Sequence, residues 1–370
     1  MFHAADLTRL GWQRRFVPFF LVLGVFCGIL PADQDRPLVL VGQQVFQVPE
    51  PGWGWLVGGV EDEAGLVSVL DRKACRVLRF NARGEWLGSW GRGGQGPGDL
   101  KDPFCIAPAE ENGLWIAGAQ VSVTLFDAVG RMVQAVDLHT ALPRVREIKR
   151  LGPDLLLGVV EGGSSGQVVT ALDRQGRTRG EPYVHLPDPA FLQQGAMVDV
   201  NVPACTILPL FASSGTRHAL ARSDRYRIQI LDGNGRVLRV VIGDEQPEPL
   251  REAERAQIRR RVERSFANVA RNPEMRELVD RSIQQIMGNL PSNKVVLKSL
   301  AISGNLLVVL LMDRDLTRTQ GPQRVDFFDL GDGRFLGRFT LKTAPLFWGK
   351  QSLYLFDPEG ERLVRHGFSL

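Results

Sequence analysis

Apolar and polar residues alternate in short runs along most of the chain. The run Cys75-Arg76-Val77-Leu78-Arg79-Phe80 and the run Arg324-Val325-Asp326-Phe327-Phe328 show the pattern clearly. A two-residue period of this kind is typical of β-strands with one face buried. The pattern predicts an all-β chain over most of its length.

A short turn motif recurs at the ends of these runs. An aromatic residue or leucine is followed by Asn or Asp, two variable residues and Gly, at 80–84, 126–130, 172–176 and 231–235, with a longer variant at 328–333. The Asn or Asp side chain caps its own backbone, and Gly supplies the positive φ that closes the turn. The first three motifs are 46 residues apart, a period typical of a four-stranded propeller blade of about 40–50 residues.

The two ends of the chain complement each other. The last unit stops at Leu370 without an outermost strand, and residues 38–48 form an apolar strand with no partner ahead of it. Pairing between the termini closes a propeller and removes an exposed edge. We therefore predict a six-bladed β-propeller whose N-terminal strand closes the last blade. The predicted blades are 55–90, 103–137, 147–180, 204–242, 295–340, and 343–370 with 37–48.

Residues 247–290 have a helical pattern instead, and they are predicted to insert two amphipathic helices between blades 4 and 5. Apolar residues from Leu250 to Val269 follow helical spacing, Asn272-Pro273 interrupts it, and Met275 to Leu290 resumes it. The first helix is locally basic through arginines 255, 259, 260, 261 and 264, diluted by three glutamates. Two interpretations stay open: a solvated face with ion pairs inside the helix, or a lid that faces a partner or an anionic ligand.

Charge excludes some partners. The chain of 370 residues has 45 Lys plus Arg against 41 Asp plus Glu, a net charge of +4, so no basic arm dominates and we expect no nucleic-acid binding. The 40 glycines suit a loop-rich β protein. We expect a monomer that binds a protein or a small ligand.

The N-terminus predicts export. Arg9, Arg14 and Arg15 precede an uncharged run over 16–30, and a small residue, Ala32, follows. This order predicts a signal peptide over 1–32 and a mature domain over 33–370, in the periplasm or outside the cell. The alternative is an uncleaved anchor at 16–30, which would be the protein's contact with the membrane. Cys75, Cys105 and Cys205 have no metal-ligand spacing, and their disulfide state is left open.

The segment 91–100, Gly-Arg-Gly-Gly-Gln-Gly-Pro-Gly-Asp-Leu, leads into Asp102-Pro103. With the turn motifs, it makes the chain resemble secreted bacterial six-bladed propellers of the NHL-like and TolB-like type. That resemblance implies that the segment joins the outer strand of one blade to the inner strand of the next. A phosphate-binding loop is disfavoured because the segment lacks the Lys-Ser/Thr of a P-loop.

The longest connections are expected to share one face of the propeller, and decorated loops on a rigid scaffold are where binding sites lie. Eight residues are the candidates for binding on this face: Asp71, Arg72, Asp224, Arg225, Asp313, Arg314, Arg259 and Arg260.

A metal site is the alternative. Propellers of the gluconolactonase and regucalcin group hold a divalent metal such as calcium through carboxylate and amide side chains that converge on the channel. The candidates here are Asp71, Asp224, Asp313 and Asp357, although each is also placed to cap its own turn. No nucleophile motif is present. The sequence thus predicts an exported binding scaffold with no cofactor and no evident catalytic residue, and the alternative is a metal-dependent lactonase or lyase.

Overall fold

The computed structural model describes residues 36–49, 52–118, 122–137, 144–150, 155–162, 166–173, 175–186, 204–317 and 322–370. The predicted signal peptide or anchor lies outside these residues. Two strands come first in the described chain, β1 (Arg36–Pro37) and β2 (Val39–Phe46).

The strands that follow form six sheets in the described part of the chain, and apart from β1 and β2 each sheet is built from strands consecutive in sequence. Sheets I and II contain β3 (Leu56–Glu61), β4 (Val67–Asp71), β5 (Arg76–Phe80) and β6 (Trp86–Trp90), then β7 (Pro103–Pro108), β8 (Leu114–Gly118), β9 (Ser122–Phe126) and β10 (Met132–Asp137). Sheets III and IV contain β11 (Arg144–Arg150), β12 (Leu155–Gly162), β13 (Gly166–Asp173) and β14 (Thr178–Leu186), then β15 (Pro209–Ser213), β16 (Arg217–Arg222), β17 (Arg227–Asp232) and β18 (Val237–Ile242). Sheets V and VI contain β19 (Leu297–Ser303), β20 (Leu306–Leu311), β21 (Gln323–Asp329) and β22 (Phe335–Leu341), then β23 (Phe347–Gly349), β24 (Ser352–Asp357) and β25 (Arg362–Ser369).

The N-terminal strand completes the last sheet, as predicted. β2 pairs antiparallel with β25, with Val39 opposite Ser369 and Phe46 opposite Leu363. The chain first makes a contact that was not predicted: β1 adds in parallel to β22 as a fifth strand of sheet V. The N-terminus therefore ties two neighbouring sheets.

The core lies between the sheets. Each sheet shares a buried apolar cluster with the next one around the molecule. The cluster between sheets VI and I includes Phe46 and Phe80, whose rings meet edge to face at 5.3 Å. Burial of each such side chain contributes about 1.5–3 kcal/mol. The first strand of each sheet also contacts the first strand of the next, from β3 through β7, β11, β15, β19 and β23 back to β3. This radial arrangement is a β-propeller.

The predicted turns join the third and fourth strands. Asp127 Oδ1 accepts hydrogen bonds from the backbone N–H groups of Val129 at 2.9 Å and Arg131 at 2.8 Å. Gly130 has a φ of +83°, and a Cβ there would lie 2.3 Å from Trp90 Cγ. The same hydrogen bonds occur at Asn81, Asp173 and Asp232, so the capping interpretation of the motif is confirmed.

The two predicted helices are present between β18 and β19: α1 (Glu252–Phe266) and α2 (Arg276–Gly288). They form a hairpin whose apolar faces share a buried cluster with Cys205, Val295 and Met312 of the propeller. The hairpin is thus packed on the sheets. No helix in the described ranges combines the length and apolar character needed to cross a membrane.

Strand direction divides the connections between two ends of the propeller. Because neighbouring strands within each blade are antiparallel, the turns between second and third strands lie at the same end as the connections from one sheet to the next. We call this the hairpin end, since α1 and α2 belong to it, and the opposite end, which carries the Asn/Asp-Gly turns, the turn end.

Candidate functional site

Asp71, a predicted binding and metal residue, is buried at the hairpin end. Its carboxylate accepts hydrogen bonds from the backbone N–H groups of Gly54 and Trp55 at 3.0 Å and of Ala74 at 3.1 Å, and from Arg76 Nε at 3.3 Å. All of these donors belong to its own sheet. The side chain therefore organises two adjacent loops.

Arg72 is on the surface beside it. Its guanidinium lies 4.9 Å from the ring centroid of Trp55, which is 58% exposed. Two hydrogen bonds, 2.5 and 2.7 Å long, join Arg72 to Asp102, and these bonds raise the pKa of Arg72 and lower that of Asp102. The charges of the pair cancel locally.

The other candidate acids are also held by neighbours close in sequence or in the same sheet. Asp224 accepts two hydrogen bonds from Arg222, at 3.0 and 2.7 Å, and Arg225 lies 3.9 Å from it. Asp313 accepts from Gln323, and Asp357 from Gly360 N and Arg362. Among the residues that the structure describes, no group of three or more His, Cys, Asp or Glu is arranged to hold a metal ion.

Arg314 belongs to a larger group, which we call the junction network because it joins the hairpin to sheets IV and V. Its members are charged or hydrogen-bonding side chains from five segments distant in sequence: Tyr226, Asp244, Glu245, Glu248, Glu254, Lys294, Arg314, Arg324, Asp326 and Arg338. Most of them are buried.

Arg338 is at the centre of the network. Its guanidinium donates to Asp326 at 2.7 and 2.9 Å, to Asp244 at 2.8 Å and to Glu245 at 3.1 Å. Burial disfavours its charge, but the carboxylates outweigh burial and raise the pKa of Arg338. Burial raises the pKa of Asp326, and Arg338 and the Tyr226 hydroxyl, which donates to it at 2.5 Å, act against that rise. Each of these five side chains has a partner from another segment.

A second buried ion pair connects α1 to the chain after α2. Lys294 Nζ lies 3.0 Å from Glu254 Oε1, and the two side chains are 2% and 1% exposed. Glu254 also accepts from the backbone N–H groups of Leu316 at 3.0 Å and Arg251 at 2.9 Å. Burial raises the pKa of Glu254, but these hydrogen bonds outweigh it and lower the pKa below its ordinary value. The start of α1 is thereby fixed to two loops of the propeller.

The outer face of α1 is different. The exposed residues Arg259 and Arg260, both predicted binding residues, border an open depression of about 400 Å³ with Glu252, Arg255, Ala256 and Met287. Neither arginine forms an ion pair with any residue that the structure describes. The interpretation of ion pairs within the first helix is therefore not realised at these two side chains. In α2, by contrast, Arg281 pairs with Glu277 at 3.8 Å.

The three cysteines Cys75, Cys105 and Cys205 are free thiols. Burial raises the pKa of the Cys205 thiol to about 11, and burial also raises that of Cys105, which contacts the backbone of Ile148. A thiol with a raised pKa is a poor nucleophile.

Sequence reasoning missed most of the junction network. On β21 the charged residues Arg324 and Asp326 alternate with apolar ones, which resembles a solvent-facing strand surface. Both are buried because that surface contacts Tyr226 of sheet IV and Glu245 in the loop that leads into α1. No signal in the sequence of β21 itself marks that face as buried.

Comparisons with solved structures agree with the fold. A member of the DUF4221 family from Bacteroides vulgatus superposes with a TM-score of 0.58 at 11% identity, covering 91% of this chain and 99% of that one. A candidate exported protein from Bacteroides fragilis superposes with a TM-score of 0.54 at 11% identity, covering 92% and 98%. At these identities the similarity shows the fold alone. A streptogramin B lyase, with a TM-score of 0.43 at 10% identity over 90% and 100% of the chains, is too distant to inform function. No protein-family model and no curated protein matches the sequence.

Proposed function

We propose that this protein is an exported six-bladed propeller that acts as a scaffold and binds a partner at the hairpin end. We take each of the six sheets as one blade, including sheet V, which has β1 as a fifth strand. The apolar clusters between all neighbouring sheets, including VI and I, support that count. The narrower NHL-like resemblance stays a prediction.

One observation carries the proposal: the same helix is fixed by a paired buried charge on its inner side, and on its outer side it carries arginines that form no ion pair with any described residue. Glu254 pairs with Lys294 beneath α1, whereas Arg259 and Arg260 are exposed. Fixing a helix through a buried ion pair needs good geometry from both partners. A rigid presentation of unpaired charge is what a binding surface requires, because it lowers the entropy lost on binding.

Export is supported by the charged and apolar order of residues 1–32. Within the described residues nothing favours a metal-dependent lactonase or lyase, since Asp71, Asp224, Asp313 and Asp357 are each hydrogen-bonded within their own sheet or its loops.

Site-specific photo-crosslinking in the cells that export the protein tests the proposal. A photoreactive amino acid replaces Arg260 at the hairpin end or, as the matched control, the exposed Arg83 at the turn end. We expect a discrete crosslinked species from position 260 and none from position 83. Equal crosslinking from both ends, or none from position 260, would contradict the proposal.

A further inference from the structure

We propose that the outer face of α1 is a docking surface for an acidic segment of a partner protein, with carboxylates placed on Arg255, Arg259 and Arg260 and an apolar side chain placed against Met287. This inference rests on the proposed function and specifies the chemistry of the partner.

The first support is the concentration of charge. Residues 251–266 contain six arginines and three glutamates. Glu254 is buried and paired with Lys294, so the exposed glutamates of α1 are Glu252 and Glu263. This helical segment has a net charge of +3. Positive charge is therefore in excess on the exposed part of α1.

The second support is that these arginines are available. Arg255 donates to the backbone carbonyl of Pro291 at 3.1 Å, which holds its guanidinium at the edge of the depression. Arg259 and Arg260 have no ion-pair partner among the described residues, and both are exposed. A free guanidinium fork matches a carboxylate with two parallel hydrogen bonds. The surface is thus set up for carboxylates from outside the chain.

The third support is the apolar component. Ala256 and the partly buried Met287 line the same depression as the arginines. Methionine is flexible and polarizable, and it adapts to the shapes of different apolar partners. An acidic residue next to an aliphatic one would satisfy both parts of the depression.

The hairpin is poorly suited to a membrane surface. A helix that lies in a bilayer interface needs a free apolar face. The apolar face of α1, formed by Ile258, Val262 and Phe266, is already buried against α2 and the propeller. A protein segment is therefore favoured over anionic lipid.

Fluorescence anisotropy with the whole mature chain tests the inference. The probe is a fluorescein-labelled peptide in which glutamates flank a leucine, and a second probe has glycine in place of that leucine. We expect the charge-reversed variant Arg259→Glu/Arg260→Glu to bind the first peptide about tenfold more weakly than the unchanged chain. The matched control Arg83→Glu/Arg131→Glu changes two exposed arginines at the turn end and should leave the affinity within about twofold.

Four results would overturn the inference. The first three are equal affinity in the two double variants, equal affinity for the leucine and glycine peptides, and stronger binding to phosphatidylglycerol vesicles than to the peptide. The fourth is displacement of the peptide by inorganic phosphate at equal concentration, because a simple anion site would then explain the arginines. If position 260 crosslinks and any of these results is also obtained, the proposal that a partner binds at the hairpin end stands. The inference that the partner contributes an acidic segment is then rejected.

Discussion

The inner and outer sides of the α1–α2 hairpin use the same residue types in opposite ways. On the inner side, Lys294 is buried against α1 and contacts two carboxylates, and Arg338 is buried beside the loop that leads into α1 and contacts three. On the outside, Arg259 and Arg260 are exposed and contact none that the structure describes. A buried charge without a partner is strongly destabilising, whereas an exposed one costs little. The buried charges are therefore needed to hold the hairpin in position on the propeller. The exposed arginines are not needed for that and can contact a partner.

The largest expected effect is on the inner side. The substitution Arg338→Met leaves Asp326, which is 0% exposed, with Tyr226 as its remaining side-chain partner. We expect the free energy of unfolding to fall by about 3–5 kcal/mol, measured by denaturant titration. The loss should be smaller at pH 5 than at pH 8, since a stranded buried carboxyl has a raised pKa and stabilises the fold less as it ionises.

The control for that variant is Arg334→Met. Arg334 is exposed, and its guanidinium lies 3.8 Å from the carboxylate of Asp332 in the turn after β21. It should cost less than about 1 kcal/mol. Comparable losses in the two variants would mean that the junction network does not hold the fold.

A smaller loss is expected for Lys294→Met. Glu254 keeps its backbone donors Leu316 and Arg251, so its carboxylate is not left bare. We expect a decrease of about 1–3 kcal/mol in the free energy of unfolding, against little change for the exposed Lys342→Met. A loss as large as that of Arg338→Met would contradict this, because it would mean that the backbone donors do not compensate the carboxylate of Glu254.

Acid should weaken the same junction. Hydrogen bonds and neighbouring cations lower the pKa of both Glu245 and Glu254 despite burial. Carboxyls with a lowered folded-state pKa contribute stability that is fully present above their unfolded value, near 4.5, and that is lost as pH falls through the folded-state pKa. Denaturant titrations across this range should show that Glu254→Gln loses less stability on acidification than the unchanged chain. Parallel pH profiles for the two chains would contradict this.

The smallest expected effect on stability is on the outer side. Arg259→Ala/Arg260→Ala removes two exposed side chains and should change the free energy of unfolding by no more than about 0.5 kcal/mol. Thermal unfolding followed by circular dichroism measures it. A clear loss of stability would place these arginines among the structural charges and remove the contrast between the two sides.

The parts of the molecule that were predicted from sequence depend on neighbours in the chain. The Asn/Asp-Gly turns form their hydrogen bonds within five residues, as at Asp127, and the two-residue alternation defines each strand. The pairing of β2 with β25 was predictable because each end of the chain had an unmatched strand. The exposure of Arg259 and Arg260 was predictable because a solvent-facing helix face follows from helical periodicity, and their role in binding stays a proposal.

The parts that were not predicted depend on contacts between distant segments. Arg338 meets Asp244 and Glu245, which are more than ninety residues earlier in the chain, and no local pattern marks that encounter. β1 is two residues long, too short for any periodicity. Asp71 was predicted as a possible ligand residue because sequence position alone does not show which backbone N–H groups converge on its carboxylate.

Hydrogen–deuterium exchange of the whole mature chain, with and without the glutamate–leucine peptide, tests the central claim most directly. We predict that the peptide slows exchange in α1, residues 252–266, and leaves the turns at 81–85 and 127–131 unchanged. Slowed exchange at those turns with none in α1 would contradict the assignment of the hairpin end as the binding end.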